Sequence, residues 1–188
     1  MKRQTNRLDW LKPAEEAIEK RRKAVLQRYE RRSSIASTVA LLLIISALVT
    51  VFRLFFGLRI ISGNGMYPAL CDGDLVLTYF KPKYVKNETV FYNADGKEYF
   101  GRIVAKEGDR IDFSSDGKFF VNDSPQTTNV VFPTYPPEGW SGSVTVPEGT
   151  VFILGDYRTQ TEDSRKFGFI PVEDVTAKVI AVLRHKKI

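Results

Sequence analysis

The side chains that most often carry chemistry are scarce in this chain of 188 residues. It contains one cysteine, Cys71, and one histidine, His185. A single cysteine cannot form an intrachain disulfide, and a single histidine excludes histidine-rich zinc sites and argues against a Ser-His-Asp triad. Any catalysis must therefore use other groups, and we expect neither a metal site nor a cofactor.

The positive charge of the chain is confined to its N-terminal tail. The formal net charge is +6, yet residues 1–32 hold 11 basic and 5 acidic side chains, which leaves 17 of each sign in residues 33–188. Nucleic-acid binding needs lysine and arginine clustered on the docking surface. We therefore expect no nucleic acid as a partner.

An uncharged run of 20 residues, 33–52, follows the basic tail. As a helix it is long enough to cross the hydrocarbon core of about 30 Å, and it predicts an uncleaved membrane anchor at residues 33–56. A buried core helix rarely runs so long without charge, and the tail is too long for a cleaved signal peptide. The basic flank predicts that residues 1–32 are cytoplasmic and that 57–188 form a domain outside the cell membrane.

Part of the tail has the pattern of a helix. The stretch from Pro13 to Tyr29 has proline in its first turn, glutamate early and arginine late, which suits the helix dipole. Its few apolar residues line up loosely on one face. Either this is a surface helix that binds anionic lipid or a protein partner, or it is a solvated charged helix, which we favour.

Short β-type runs separated by turn residues fill the rest of the chain. Asp116-Gly117 between two of them is a strong hairpin signal, and the proline-rich stretch 123–142 predicts a long irregular connection. We predict an all-β, antiparallel domain. The predicted strands are Asp74–Tyr79, Thr89–Tyr92, Glu98–Val104, Arg110–Phe113, Lys118–Val121, Ser143–Val146, Val151–Leu154 and Lys178–Leu183.

Four segments in order resemble motifs of one family. They are Gly63–Leu70 (GNGMYPAL), Asp72–Leu77 (DGDLVL), Tyr99–Asp109 (YFGRIVAKEGD) and Gly155–Gly168 (GDYRTQTEDSRKFG). Together with the preceding anchor they resemble type I signal peptidase of peptidase family S26, in its Gram-positive form with one anchor. The resemblance implies a signal peptidase-like antiparallel β-sheet domain.

The two catalytic positions of that family carry glycine here. The resemblance implies a Ser–Lys dyad, in which a neutral lysine accepts the proton of the nucleophilic serine. The serine position is Gly65 and the lysine position is Gly101. Neither glycine can attack a carbonyl or accept a proton, so we expect a catalytically degenerate homologue without activity by the family mechanism.

Neighbouring side chains are poor substitutes for the dyad. Ser62 and Cys71 flank Gly65, and Lys97 and Lys106 flank Gly101. On a strand Lys97 would share the face of Gly101 but lie about 13 Å away, and Lys106 would face the other side. We expect an ordinary surface serine, surface lysines and a packed cysteine.

The resemblance also assigns a structural motif and a binding groove. The motif sits behind the active site, with an expected Asp–Arg ion pair, and Tyr157 and Thr161 depart from it; its residues are Asp156, Arg158, Asp163, Ser164 and Arg165. The groove takes an extended peptide by β-augmentation, and the two glycines should widen it. The expected groove residues are Gly63, Asn64, Gly65, Met66, Pro68, Tyr99, Gly101 and Arg102.

The resemblance suggests a function in assembly. Homologues without the dyad are encoded beside pilins and sortases. We therefore predict a membrane-anchored protein that binds a pilin, preprotein or other extended peptide without cutting it, with sortase-type assembly machinery as a further expected partner. One alternative is a working serine endopeptidase that processes signal peptides with displaced catalytic groups. Another is a structural membrane scaffold that acts through its cytoplasmic helix.

Overall fold

A computed structural model describes residues 12–80, 83–128, 130–160 and 162–184. Contacts within the chain divide it into two units, one that ends at Phe52 and one that begins at Arg53. Two residues discussed above, Thr161 and His185, lie outside the described residues.

The described part of the first unit belongs to one long helix, α1 (Lys12–Phe55), whose last three residues fall in the second unit. Its apolar portion is, by length and composition, sufficient to cross a membrane, and apolar side chains such as Leu41, Leu42 and Leu43 are exposed. The helix predicted from Pro13 continues into the predicted anchor without a break. The boundaries 1–32, 33–56 and 57–188 stay predictions.

The second unit is built from two antiparallel sheets. The larger has seven strands in the order β1-β2-β11-β3-β4-β9-β10, and the smaller has four in the order β7-β6-β5-β8. The strands are β1 (Phe56–Ile60), β2 (Leu75–Phe80), β3 (Thr89–Ala94), β4 (Lys97–Lys106), β5 (Arg110–Phe113), β6 (Phe119–Val121), β7 (Ser124–Pro125), β8 (Val144–Thr145), β9 (Thr150–Leu154), β10 (Ile170–Pro171) and β11 (Val175–Arg184).

The predicted all-β, antiparallel class is confirmed. Each predicted strand overlaps an observed one, and the Asp116-Gly117 turn joins β5 to β6 with Gly117 at φ 80°. Two short helices complete the unit: α2 (Ser164–Phe167) and a 3₁₀ turn at Val172–Asp174.

Three clusters of buried side chains form the core. One joins the two sheets through Val104, Ile111, Phe119 and Phe152. A second lies around Tyr92, Ile103 and Ile153, and a third holds Ile61, Met66 and Phe91. The third cluster matters most for the site because it attaches the loop between β1 and β2 to the large sheet.

Candidate functional site

A groove of about 760 Å³ lies where three segments of the β unit meet. These segments are the loop after β1, the first half of β4 and the loop that joins β9 to α2. The described residues that line the groove are Ile60, Ser62, Gly63, Gly65, Phe91, Glu98, Tyr99, Phe100, Gly155, Thr159, Gln160, Glu162 and Asp163.

The register of β4 leaves one of its edges beside this groove. β3 pairs with residues 97–102 of β4, but β9, on the other side, pairs only with residues 102–106. The edge of residues 97–101 that faces away from β3 therefore extends beyond the end of β9. An unpaired strand edge presents N–H and C=O groups to which an extended peptide can add.

The loop after β1 is held by its own polar groups and by the core. The N–H of Gly63 donates to Asp72 Oδ1 at 2.7 Å, and the N–H of Asp72 donates to Asn64 Oδ1 at 3.1 Å. Met66 is fully buried. This arrangement fixes the backbone of Gly65 at the groove although Gly65 has no side chain.

A second glycine allows the close contact between this loop and the loop after β9. The N–H of Tyr157 donates to the carbonyl of Gly65 at 3.0 Å. A Cβ added to Gly155 would lie 2.7 Å from that same carbonyl oxygen. Only glycine at position 155 fits this approach.

Gly65 and Gly101 have different surroundings. A Cβ on Gly65 would meet only Gln160 Oε1, at 3.1 Å, so the space beside it is open. A Cβ on Gly101 would lie 2.6 Å from Ile153 Cγ2 and 3.3 Å from the carbonyl oxygen of Leu154. The expectation that both glycines widen the groove is therefore wrong at Gly101, because Ile153 fills the space.

The expected groove residues fall into three groups. Those that line the groove are Gly63, Gly65 and Tyr99, while Asn64 and Pro68 are exposed in the same loop and do not line it. The others point elsewhere: Met66 and Gly101 are buried, and Arg102 forms an ion pair with Asp156. Whether the groove residues bind peptide stays a prediction.

The structure also shows where the four possible substitutes for the catalytic dyad lie. Ser62 is exposed and lines the groove, whereas Cys71 is buried. Both Lys97 and Lys106 are exposed on β4 and outside the groove. No lysine is found among the described residues that line it, so Ser62 has no amine base there.

The acidic groups of the groove are Glu98, Glu162 and Asp163. Glu98 forms an ion pair with Arg59, whose guanidinium lies 4.5 Å from the ring centroid of Phe91. Asp163 is buried and paired with Arg165. Within the described ranges, no three His, Cys, Asp or Glu side chains are grouped so that they could hold a metal ion.

The structural motif forms a buried polar network behind the groove. Asp163 accepts from the Nε of Arg165 at 2.9 Å and from the N–H of Gly155 at 3.1 Å, and it also caps α2. Ser164 Oγ accepts from the N–H of Ile153 at 2.9 Å. The network thus holds both Gly155, which contacts the loop of Gly65, and Ile153, which fills the space beside Gly101.

A second ion pair of this network was not anticipated. Arg102 donates to both carboxylate oxygens of the fully buried Asp156, at 2.8 and 2.6 Å. Two parallel bonds between guanidinium and carboxylate are strong and geometrically specific. Arg102 therefore supports the loop after β9 instead of contacting the groove.

Tyr157 belongs to an aromatic cluster with Phe132 and Tyr67. Its ring lies edge-on to Phe132, with centroids 5.0 Å apart, and to Tyr67, with centroids 6.4 Å apart. In the sequence, Tyr157 stands out only as a departure from a motif, and sequence patterns do not reveal its ring contacts. The motif-based assignment also missed Phe91, Phe100 and Gln160 in the groove lining, although the alternation of apolar residues in β3 and β4 is visible in the sequence.

Fold and site together define a class: a β domain with an open strand edge in a groove, preceded in sequence by one helix long and apolar enough to span a membrane. The profile of the family described as "Signal peptidase, peptidase S26" matches residues 32–184. The match covers most of the chain, so the chain belongs to the signal peptidase family S26.

Several characterised proteins are similar to this chain. Signal peptidase I of Bacillus caldolyticus is 30% identical over 149 residues, which cover 70% of this chain and 81% of that protein. Signal peptidase I of Streptococcus pneumoniae serotype 4 is 26% identical over 182 residues, covering 73% and 87%. Thylakoidal processing peptidase 1 of Arabidopsis thaliana is 32% identical over 137 residues, and the chain spans only 39% of its length.

A crystal structure of a signal peptidase I from Enterococcus faecalis V583 was also found. It is 21% identical, with a TM-score of 0.43, and the match covers 53% of this chain and 98% of that one.

Proposed function

We propose that this protein binds an extended peptide in the groove beside β4 and does not cleave it. The peptide pairs with the open edge of residues 97–101 as an additional strand. The observation that carries the proposal is this open edge, which lies in a groove where the expected nucleophile position is glycine. Main-chain hydrogen bonds supply affinity in such a complex and need no catalytic side chain.

The surroundings of the two glycines support the absence of cleavage. Gly65 supplies no attacking atom, and the space for a side chain at position 101 is occupied by Ile153. Loss of both members of a catalytic pair removes on the order of a million-fold in turnover. The groove thus keeps a strand edge that can bind a peptide but lacks the side chains that would cleave it.

The family suggests what the peptide belongs to. Signal peptidases act on preproteins, so the proposed ligand is a preprotein or pilin segment that emerges from the membrane. Residues 33–56 are the proposed anchor, with the tail of residues 1–32 in the cytoplasm because of its positive charge. The proposed role is assistance of extracytoplasmic assembly, such as pilin polymerisation beside sortase-type enzymes.

The test measures binding and cleavage in the same sample. The full chain in detergent micelles is mixed with a fluorescent peptide that carries an Ala-x-Ala sequence, and with an analogue whose alternate amides are N-methylated. We expect the first peptide to bind and stay intact by mass spectrometry, and the second to lose binding because its N–H donors are gone. Equal binding of the two peptides would refute strand addition. Cleavage of the first peptide would refute the proposal that the protein does not cleave its ligand.

A second candidate function is a peptidase with a displaced nucleophile, favoured only by the position of Ser62 in the groove. Its test compares the natural chain with Ser62→Ala under the same conditions. Cleavage that disappears in Ser62→Ala would establish this alternative. We expect no cleavage by either, because no lysine lines the described groove.

Restoring the dyad tests whether the groove positions a scissile peptide. Gly65→Ser and Gly101→Lys are combined, with and without Ile153→Ala, since the lysine must share space with Ile153. Signal-peptide cleavage by either variant would support a preprotein as the ligand class. Binding that persists without any cleavage would favour a peptide of another kind.

Photo-crosslinking in cells identifies the peptide that occupies the groove. A photoreactive residue at position 65 has room for its Cβ, and the same residue at the exposed Lys118 serves as a matched control. We expect a pilin or preprotein adduct from position 65 alone. Loss of function on deletion of residues 1–30, with no adduct at position 65, would instead support the scaffold alternative.

A further inference from the structure

A second cavity, of about 510 Å³, lies beside the loop that joins β9 to α2 and shares Thr159 with the groove. One wall is basic and consists of Arg158, Arg165 and Lys166. The opposite wall belongs to the proline-rich segment, with Tyr135 and its neighbouring prolines. The cavity thus combines positive charge with apolar surface, and the groove described above does not include its basic side chains.

The buried network next to this cavity has one positive charge too many. Two of its buried carboxylates are paired: Asp156 with Arg102, and Asp163 with Arg165. Arg158 is only 2% exposed and has no carboxylate of its own. Asp156 and Asp163 also attract Arg158, but each is already paired with another arginine. A third buried guanidinium that lines a cavity therefore points to a counter-ion from outside.

The hydrogen bonds of Arg158 are incomplete as well. Its Nη1 donates to Thr134 Oγ1 at 2.9 Å, while its buried Nε has no partner in the described part of the chain. Burial, and then the neighbouring Arg165, lower the pKa of Arg158 to about 10. The guanidinium therefore remains charged at neutral pH, and an anion in the cavity would offset its repulsion by Arg165.

The remaining charges at the rim do not neutralise Arg158. Lys166 is half exposed and forms an ion pair with Glu162 at 3.3 Å. Glu138 lines the cavity but is exposed, and it makes no ion pair within 4.0 Å in the described residues. Glu138 should therefore weaken the binding of an anion, which supplies a diagnostic variant.

We propose that this cavity binds a carboxylate side chain of a polypeptide, such as glutamate, with its aliphatic stem against Tyr135 and the prolines. Arg158, the one buried guanidinium of the network without an ion pair, matches one carboxylate, and the apolar wall matches a stem. A dianionic phosphate would exceed the available charge and leave the apolar wall without contacts. The proposal is independent of what the groove binds.

The test observes Arg158 directly in the full chain in detergent micelles. Its Nε–H signal in ¹⁵N–¹H spectra is assigned with Arg158→Lys. The probes are the capped tripeptide Ac-Ala-Glu-Ala-NH2, its glutamine analogue, acetate and inorganic phosphate. We expect the glutamate peptide to shift the signal with saturation, and the glutamine peptide to bind at least about tenfold more weakly because the charge-assisted bond is lost.

Three variants localise the effect. Lys166→Gln should weaken binding of the glutamate peptide about two- to threefold, and Glu138→Gln should strengthen it by a similar factor, because both are exposed charges at the rim. Lys118→Gln, another exposed lysine in an ion pair, is the matched control and should change nothing. Unchanged affinity in both rim variants would overturn the assignment to this cavity.

The probes also decide the chemistry. Equal shifts from the glutamate and glutamine peptides, or no shift at all, would overturn a carboxylate site. Phosphate that binds more tightly than the glutamate peptide would make this an inorganic anion site and refute the proposal. Acetate that binds as tightly as the peptide would refute the polypeptide as the source.

Discussion

Positions 65 and 101 both carry glycine, yet the space beside the two glycines differs. Beside Gly65 the space is open except for the end of Gln160, while beside Gly101 it is filled by Ile153. At the first position the missing side chain leaves room in a groove. At the second position, the space that a side chain would occupy has become part of the core. Two absent groups in one site can therefore have different structural consequences.

The difference follows from where each glycine lies. Gly65 is in a loop, and its carbonyl is held by the N–H of Tyr157. Gly101 is buried in β4 and pairs with Val90, directly before the point where β9 joins the other edge. Interiors are close-packed, so a vacant position in a strand is filled by its neighbours, whereas a position at a groove is not.

The largest effect is expected from the network that supports both positions. Asp163→Asn removes the charge that faces the buried Arg165, and we expect the free energy of unfolding to fall by about 3–5 kcal/mol. It is measured by denaturant titration in micelles, with Trp140 as the probe in a Trp10→Phe background. Asp116→Asn, which breaks an exposed ion pair, should leave the free energy of unfolding nearly unchanged. Equal losses of stability in Asp163→Asn and Asp116→Asn would contradict the supporting role of Asp163.

The next effect concerns the contact between the two loops. Gly155→Ala places a Cβ 2.7 Å from the carbonyl oxygen of Gly65, and backbone atoms cannot give way as a side chain can. We expect a loss of about 2–3 kcal/mol, together with weaker binding of the extended peptide as the loop moves. The denaturant titration measures the loss of stability, and the fluorescent peptide measures the loss of binding. Unchanged stability and binding would show that the loops are not tightly coupled.

A smaller effect tests the filled position. Gly101→Ala should cost about 1–2 kcal/mol because its Cβ meets Ile153 Cγ2 at 2.6 Å. In Ile153→Ala that contact is absent, so the additional cost of Gly101→Ala should largely vanish. The double-mutant cycle should show a coupling of at least about 0.5 kcal/mol. Additive losses would mean that Ile153 does not fill the space.

Much of the fold could be predicted from the sequence, because alternation and turn residues are local signals. The short strands β7 and β10 have two residues each, too few for a pattern, and no strand was predicted at β1, which begins at the last residue of the predicted anchor. The proline-rich stretch was correctly predicted as largely irregular, although it contains β7. Strands β1 and β10 depend on pairing with residues well separated in the sequence, whereas β7 pairs with the neighbouring β6 and is missed because it is so short.

The site could be predicted only in part. Gly63, Gly65 and Tyr99 were assigned to the groove from motifs and lie along it. Arg102 was assigned to the same groove but pairs with Asp156, a contact between residues far apart in the chain. The filling of position 101 by Ile153 is equally a tertiary effect. Motif position identifies which segments meet, while the packing of side chains between them decides what each residue contacts.

The smallest effect is expected at the open position. Gly65→Ala adds a Cβ that meets only Gln160 Oε1 at 3.1 Å, the end of an exposed side chain that can move away. We expect the free energy of unfolding to change by less than about 0.5 kcal/mol, and Gln160→Ala in the same chain to make no further difference. A loss near that of Gly101→Ala would remove the contrast between the two glycines. It would mean that position 65, like position 101, is closed by packing, and a peptide would then have no room beside it.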